Sequence, residues 1–195
     1  ESWVREMLAM DTVMKLTIYG ENAPQAGEAA VDRIQELEGL LSVTGEDSEI
    51  YAANHTGSAQ LSPDAAALLA RALTLCRQPG GALDVTIYPV VRAWGFTTGA
   101  YRVPDDGELT ALLERVDYRQ AALEGDRLTL PEGVELDLGA VAKGYTGDQL
   151  MALLAREGIA SAIVELGGNV QALGAKPDGS PWRVAVQAPD GSGYA

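Results

Sequence analysis

Early in the chain, hydrophobic and polar positions alternate. In MDTVMKLTIYG, Met10 to Gly20, the apolar Met14, Leu16 and Ile18 alternate with Val13, Lys15 and Thr17. A period of two sends successive side chains to opposite faces, which predicts a β-strand closed by a glycine. The period then lengthens. Val31, Ile34, Leu37 and Leu41 recur at helical spacing behind a start signal at Asn22 and Pro24, predicting a helix with an inward apolar stripe. Ser42 to Ser58 is polar and rich in turn residues, and predicts a loop. Ser62-Pro63-Asp64 opens a second helix, with an N-cap followed by proline at the first helical position. Its stripe is Ala66, Leu69, Leu73 and Cys76, and Pro79-Gly80-Gly81 ends it.

Gly81 to Gly99 is apolar and β-branched, yet Pro89 in its middle argues against a central strand. A short helix is predicted after Pro104-Asp105, using Leu109, Leu112, Leu113 and Val116. DRLTLPEGVELDLGA reads as a hairpin: one strand to Leu130, a Pro-Glu-Gly turn, and one strand to Leu138. A helix from about Lys143 to Glu157 is stopped by Gly158, and strands follow at Ala162 to Leu166 and at Trp182 to Gln187. Helices and strands interleave while hairpin signals recur. The expectation is an α+β fold, a mixed and largely antiparallel sheet packed with helices, rather than a doubly wound parallel sheet. No internal repeat or long linker interrupts residues 1–195, which read as a single domain.

Composition narrows the function. The 28 acids against 14 bases give a formal charge of −14, which repels phosphate backbones and argues against nucleic acid as a partner. The acids are spread along the chain and read as a solvated acidic surface. The one cysteine, Cys76, permits no disulfide within the chain and falls on a buried stripe. No apolar run approaches the ~20 residues that span a bilayer, and no signal peptide is present. The chain opens at Glu1 without a methionine, which leaves room for an upstream segment.

One stretch joins several kinds of chemistry. ELDLGAVAKGYTGDQL, Glu135 to Leu150, carries Asp137 on a strand end and then runs through Gly139, Lys143 and Gly144 into a helix. A helix start beside glycines offers free N–H groups and a positive dipole end, and Lys143 adds a cation, a combination suited to a phosphate or pyrophosphate. Asp137 suits a ligand N–H or O–H, or a divalent cation. The other reading is a well-formed strand-to-helix turn with a capping acid and a surface lysine. Neither GxxxxGK(S/T) nor GxGxxG is present. Glu165 to Val170, ELGGNV, is a second glycine-rich strand end, either a tight turn or a close approach to a ligand. Asp84 sits among apolar neighbours, where a ligand edge or backbone amides must satisfy it. His55, the only histidine, lies in a polar stretch with no G-x-S-x-G elbow, which argues against a serine triad, and one His with one Cys argues against zinc.

Several blocks, in order, resemble the ApbE family of FAD:protein FMN transferases. MDTVMKLTIYG is similar to the family's opening M-G-T strand, with Asp11 in place of the usual glycine. LLSVTGEDSEIYAANHTG is similar to L-S-x-x-x-x-x-S-x-(I/L)-x-x-(I/L)-N. GALDVTIYPVVRAWGF is similar to G-A-F-D-x-T-x-x-P-(L/V)-x-x-L-W-G-F, and ELDLGAVAKGYTGDQL to L-D-L-G-(G/A)-(I/V)-A-K-G-Y-x-x-D. VELGGNVQALG and PWRVAVQAPDG match the blocks that follow. Six blocks in register are far more specific than any one of them.

The resemblance implies an enzyme that binds FAD and Mg²⁺. It would transfer FMN to a Thr or Ser of a target protein, such as a subunit of a membrane redox complex, and release AMP. By motif, flavin contacts fall on Met10, on Leu83, Asp84 and Val85, and on Asp137 and Lys143. The cation is bound partly through the main-chain oxygen of Ala140. A family aromatic that stacks on flavin matches Thr44, which has no ring. The resemblance also implies export and a lipid anchor upstream, in a bacterium. The family's later H-x-(I/L)-(D/N)-P-x-(T/S)-G segment and its Asp/Thr cation ligands have no counterpart before Ala195, so the chain corresponds to the N-terminal two-thirds of the pattern. Two other functions use the same site: an FAD pyrophosphatase, with water as acceptor, and a flavin-binding module without turnover.

Overall fold

The computed structural model describes residues 1–78 and 82–193. In chain order the elements are β1 (Ser2–Ala9), β2 (Thr12–Tyr19), α1 (Ala23–Leu41), α2 (Glu49–Thr56), β3 (Ser58–Gln60), α3 (Pro63–Arg77), α4 (Tyr88–Ala93) and α5 (Asp106–Leu113). After a 3-10 turn at Tyr118–Gln120 come β4 (Ala122–Glu124), β5 (Arg127–Thr129), α6 (Gly139–Arg156), β6 (Ser161–Leu166) and β7 (Asn169–Gly174). The chain divides into two compact units, one made of Glu1–Ile34 and Thr146–Ala195, the other of Gln35–Tyr145. All strand pairs in both are antiparallel, as expected for the α+β class. Among the described residues no helix is long and apolar enough to cross a membrane.

The first unit is a four-stranded sheet in the order β1-β2-β6-β7. The alternation read from the sequence is what buries it. Met14, Leu16 and Ile18 of β2 and Ala162, Val164 and Leu166 of β6 point to one face and are fully buried. They pack with Ala26, Ala30 and Ile34 of α1 and Leu150 and Leu154 of α6 in one hydrophobic cluster. Burying each of the larger side chains among them contributes about 1.5–3 kcal/mol. Strand β1 precedes the stretch read as a strand, and Met10 lies outside β2. Met10 and Asp11 form the two-residue turn of the β1–β2 hairpin, with φ of 48° and 58°. Positive φ at both central residues is the turn whose twist matches the flanking strands. Asp tolerates that conformation and glycine takes it without strain.

In the second unit α3 buries Ala65, Leu68, Leu69, Ala72, Leu73 and Cys76, while Ala66 is only half-buried. The Pro79-Gly80-Gly81 stop lies outside the described residues; the helix itself ends at Arg77. The small sheet has the order β3-β5-β4. Pro89 sits in the first turn of α4, where its missing N–H costs nothing. Helix α5 forms where expected, capped by the Asp105 carboxylate on the Glu108 N–H at 2.8 Å. Its leucines, however, are not buried, and Leu113 is 52% exposed.

The structure corrects four expectations. The polar stretch 42–58 is not all loop, because Ser48 caps α2 and Gly57 closes it at φ 77°. Those turn residues are the ends of a helix with only Ile50 and Ala53 buried, too short and polar for its period to show. The hairpin lies earlier, with β4 and β5 turning at 125–126. The second limb to Leu138 does not fold back on β5; it meets Ile87 in a single parallel bridge at Glu135. Helix α6 begins at Gly139, not Lys143. Finally, the last strand is β7, and Trp182 to Gln187 is not a strand. Val184 and Val186 alternate correctly but are 56% and 70% exposed.

Candidate functional site

The second unit gathers two of the singled-out segments. The Asp137 N–H donates to the Val85 carbonyl at 2.8 Å, which ties the ALDV segment to the acidic turn before α6. Val85 is buried, and Leu83 and Asp84 are half-buried. The Asp84 carboxylate is satisfied by its own chain: Oδ1 accepts from the Thr86 N–H at 2.8 Å and the Thr86 hydroxyl at 2.6 Å, and Oδ2 accepts from the Tyr118 N–H at 2.9 Å. Backbone amides therefore satisfy this acid, and it shapes the loop that presents Val85. Cys76 packs beneath, interacting with Val85, and burial pushes its thiol pKa up. A buried thiol of raised pKa is inert, in line with a core residue.

The turn itself is fixed from several directions. Arg92 on α4 grips Glu135 through both guanidinium nitrogens, one of them at 2.7 Å, and lies over the Tyr88 ring. The bond to Glu135 holds the Arg92 pKa above its ordinary value, against the opposing effect of burial. Asp137 Oδ1 accepts from the Gly139 N–H at 2.7 Å and so caps α6. A Cβ on Gly139 would approach that oxygen to 2.9 Å, so a side chain there would make the capping carboxylate shift. Gly139 and Ala140 are exposed at the helix start, and Gly144 has open space where a Cβ would be.

Lys143 follows one turn along. It is half-buried and makes no ion pair among the described residues, in a chain with twice as many acids as bases. A cation left unpaired beside a helix N-terminus makes a positive patch that an anion would satisfy.

Met10 belongs to the first unit. Its sulfur lies 3.8 Å from the buried Thr146 hydroxyl. The ELGGNV stretch is the β6–β7 turn, with Gly167 at φ 59° and Gly168 at φ 94°, so its tight-turn reading is the one observed. Gly167 packs against Thr12, where a Cβ would meet the threonine side chain at 2.5 Å. The turns at 10–11 and 167–168 therefore lie side by side at one end of this sheet.

His55 hydrogen-bonds the Tyr51 carbonyl at 2.8 Å and stacks on the Tyr51 ring, a local role on α2. Thr44 is exposed, its N–H donating to the Ser42 hydroxyl at 3.2 Å. Sequence reasoning gave no role to Asn54, whose side chain bonds both main-chain groups of Leu136. The one available signal was its place at the end of the L-S…N block.

The sequence profile of the ApbE family matches residues 10–195. The chain belongs to the ApbE family. It is 32% identical over 212 residues to the FAD:protein FMN transferase of Treponema pallidum, covering 97% of this chain and 59% of that protein. It is 34% identical over 170 residues to that of Vibrio cholerae, covering 83% and 51%. In structure it is similar to the ApbE protein of Thermotoga maritima, with a TM-score of 0.92, 25% identity, and coverage of 100% of this chain and 66% of that one. The flavin transferase ApbE of Vibrio cholerae superimposes with a TM-score of 0.89 at 27% identity, over 97% of this chain and 64% of that one. The chain thus spans between half and three-fifths of the length of these two curated ApbE relatives.

The ApbE resemblance implies a cation held partly by Ala140. Among the described residues no three His, Cys, Asp or Glu side chains gather into a group that could hold a metal ion. Asp137 already spends one oxygen on the Gly139 amide. These residues do not by themselves fit Mg²⁺, an ion that demands near-octahedral oxygen ligation and takes much of it from water and substrate phosphate.

Proposed function

We propose that the chain binds FAD at the start of α6 and serves an FAD:protein FMN transferase. The observation that carries this reading is the half-buried, unpaired Lys143 one turn into a helix that is capped by Asp137 and whose first two residues, Gly139 and Ala140, are exposed. In an acidic chain such a patch serves an anion, and family membership makes FAD pyrophosphate the natural one. In this reading Lys143 and the Ala140 region face the pyrophosphate. Asp137's second oxygen accepts from a flavin N–H or O–H, and Leu83, Asp84 and Val85 shape the wall beside it. The family's motif adds Met10 as a further flavin contact.

The reaction is a substitution at phosphorus. The hydroxyl oxygen of a Ser or Thr on the target protein bonds to the FMN phosphorus. The pyrophosphate P–O bond breaks, AMP leaves with the electron pair, and the hydroxyl proton passes to solvent. Phosphoryl transfer needs positioning and charge neutralisation more than a protein nucleophile, so it does not require a Ser-His or Cys-His pair. Of the residues described, Ala140's main-chain oxygen is the one this reading offers to a cation, and no step of the substitution is routed through it. We place the protein outside the cytoplasm of a bacterium, lipid-anchored, with a subunit of a redox complex as target.

Incubation with FAD, Mg²⁺ and a Ser/Thr acceptor peptide tests the reaction. The expected result is AMP together with FMN bound to the peptide. Free FMN formed equally with and without peptide would replace the transferase with a pyrophosphatase, and bound FAD without products would leave a flavin-binding module.

A further inference from the structure

The turn that carries Asp137 has a single β-bridge, between Glu135 and Ile87, yet the Leu136 N–H and carbonyl and the Asp137 N–H all find partners. Leu136 lies between Glu135 and Asp137 and is fully buried. Its N–H donates to Asn54 Oδ1 at 2.7 Å, and its carbonyl accepts from Asn54 Nδ2 at 2.9 Å. A planar side-chain amide that donates and accepts at once reproduces the edge of a peptide. Asn54 thus acts as a one-residue strand partner, 82 positions away in sequence. Without it, two buried main-chain groups lose their partners.

Asn54 is itself anchored. It stands on α2 next to Ala53, which with Ile50 is the buried side of that helix. On the next residue of the turn, Asp137 is tied to Val85. The acidic turn is therefore gripped by α2 at Leu136 and by the ALDV segment at Asp137.

We propose that Asn54 is a positioning residue of the dinucleotide site. By fixing Leu136 it sets the place of Asp137. Through the Asp137–Gly139 cap it also sets the start of α6, from which Ala140 and Lys143 are presented. This inference rests on the flavin reading of that site. An aspartate cannot substitute: it has no N–H for the Leu136 carbonyl and sets a negative charge against it. An isosteric leucine offers neither bond.

The test compares Asn54→Asp and Asn54→Leu with Ser48→Ala, which removes the α2 cap but leaves the Asn54 amide intact. Hydrogen exchange is followed by mass spectrometry in peptides covering 134–142 and 65–76, and FAD affinity is titrated well below each melting point. Both Asn54 variants should speed exchange in 134–142 by about tenfold or more relative to 65–76. They should also weaken FAD binding by about tenfold, the scale of one hydrogen bond lost at the site. Ser48→Ala should lower Tm while changing neither. Unchanged exchange at 134–142 in both Asn54 variants overturns the clamp, as does the same pattern from Ser48→Ala. A responding turn in a wild-type protein that takes up no FAD overturns the flavin reading, and with it the site role, so the two failures are distinguishable.

Discussion

The sheet of the first unit and the acidic turn of the second are both fixed in place, but by different physics. In β2 and β6 every second side chain is buried, and the backbone finds its partners in an antiparallel ladder. The turn from Glu135 to Gly139 has almost no ladder. It is held by Arg92 on Glu135, Asn54 on Leu136, Val85 on Asp137 and Asp137 on Gly139. Burial tolerates shape changes poorly and admits no unpaired charge. The hydrogen-bonded turn buries Leu136 and Leu138, but its own bonds also place polar groups accurately, which is what a binding site requires.

The contrast can be broken most forcefully from the sheet side. Leu16 is fully buried in the middle of β2. Leu16→Ala should lower unfolding free energy by about 2–5 kcal/mol, measured by urea denaturation, through lost transfer energy and the cavity left behind. FAD affinity of the molecules that remain folded should not change. A loss of affinity at temperatures where the variant is fully folded would mean that the sheet and the turn are not separate devices.

A smaller effect is expected on the polar side. Asp117 caps the 3-10 turn that aims the Tyr118 N–H at Asp84. Its bond to Arg119 holds the Asp117 carboxyl below the ordinary aspartate range. A lowered folded pKa means the unfolded chain takes up the proton first. The stabilisation is therefore present above the ordinary aspartate value and is lost as pH falls through the lowered one. The pair is exposed, so its contribution is small. Asp117→Asn keeps an acceptor for the cap and removes the charge. It should lower Tm slightly at pH 7, and the difference from wild type should vanish in acid. A difference that persists at acid pH would show that the cap, not the charge, is what the substitution disturbs.

The same contrast explains what the sequence made legible. Strands β2 and β6 and helices α1 and α3 announce themselves because burial imposes a period, and Met14, Leu16 and Ile18 carry it visibly. Helix α2 buries two residues, too few for a period, and Ser48 and Gly57 look like loop residues until both ends are seen. Strand β7 is half-exposed, and its alternation is lost. Val184 and Val186 show the opposite failure, a strand pattern with no strand. At the site, Asp137, Lys143 and the ALDV segment could be singled out because acids, lysines and glycines stand out against apolar neighbours. Asn54 could not, because its role depends on a main-chain partner 82 residues away.

The central claim is that the start of α6 is an anion site for FAD, with Lys143 as its cation. Isothermal titration of FAD into the wild-type protein and into Lys143→Ala addresses it directly. The account predicts saturable one-to-one binding by the wild type, weakened about tenfold or more in the variant, the scale of one hydrogen bond to a charged group. Tm should be unchanged, since Lys143 makes no ion pair among the described residues. Identical isotherms for the two proteins, or no saturable binding by the wild type, would contradict it.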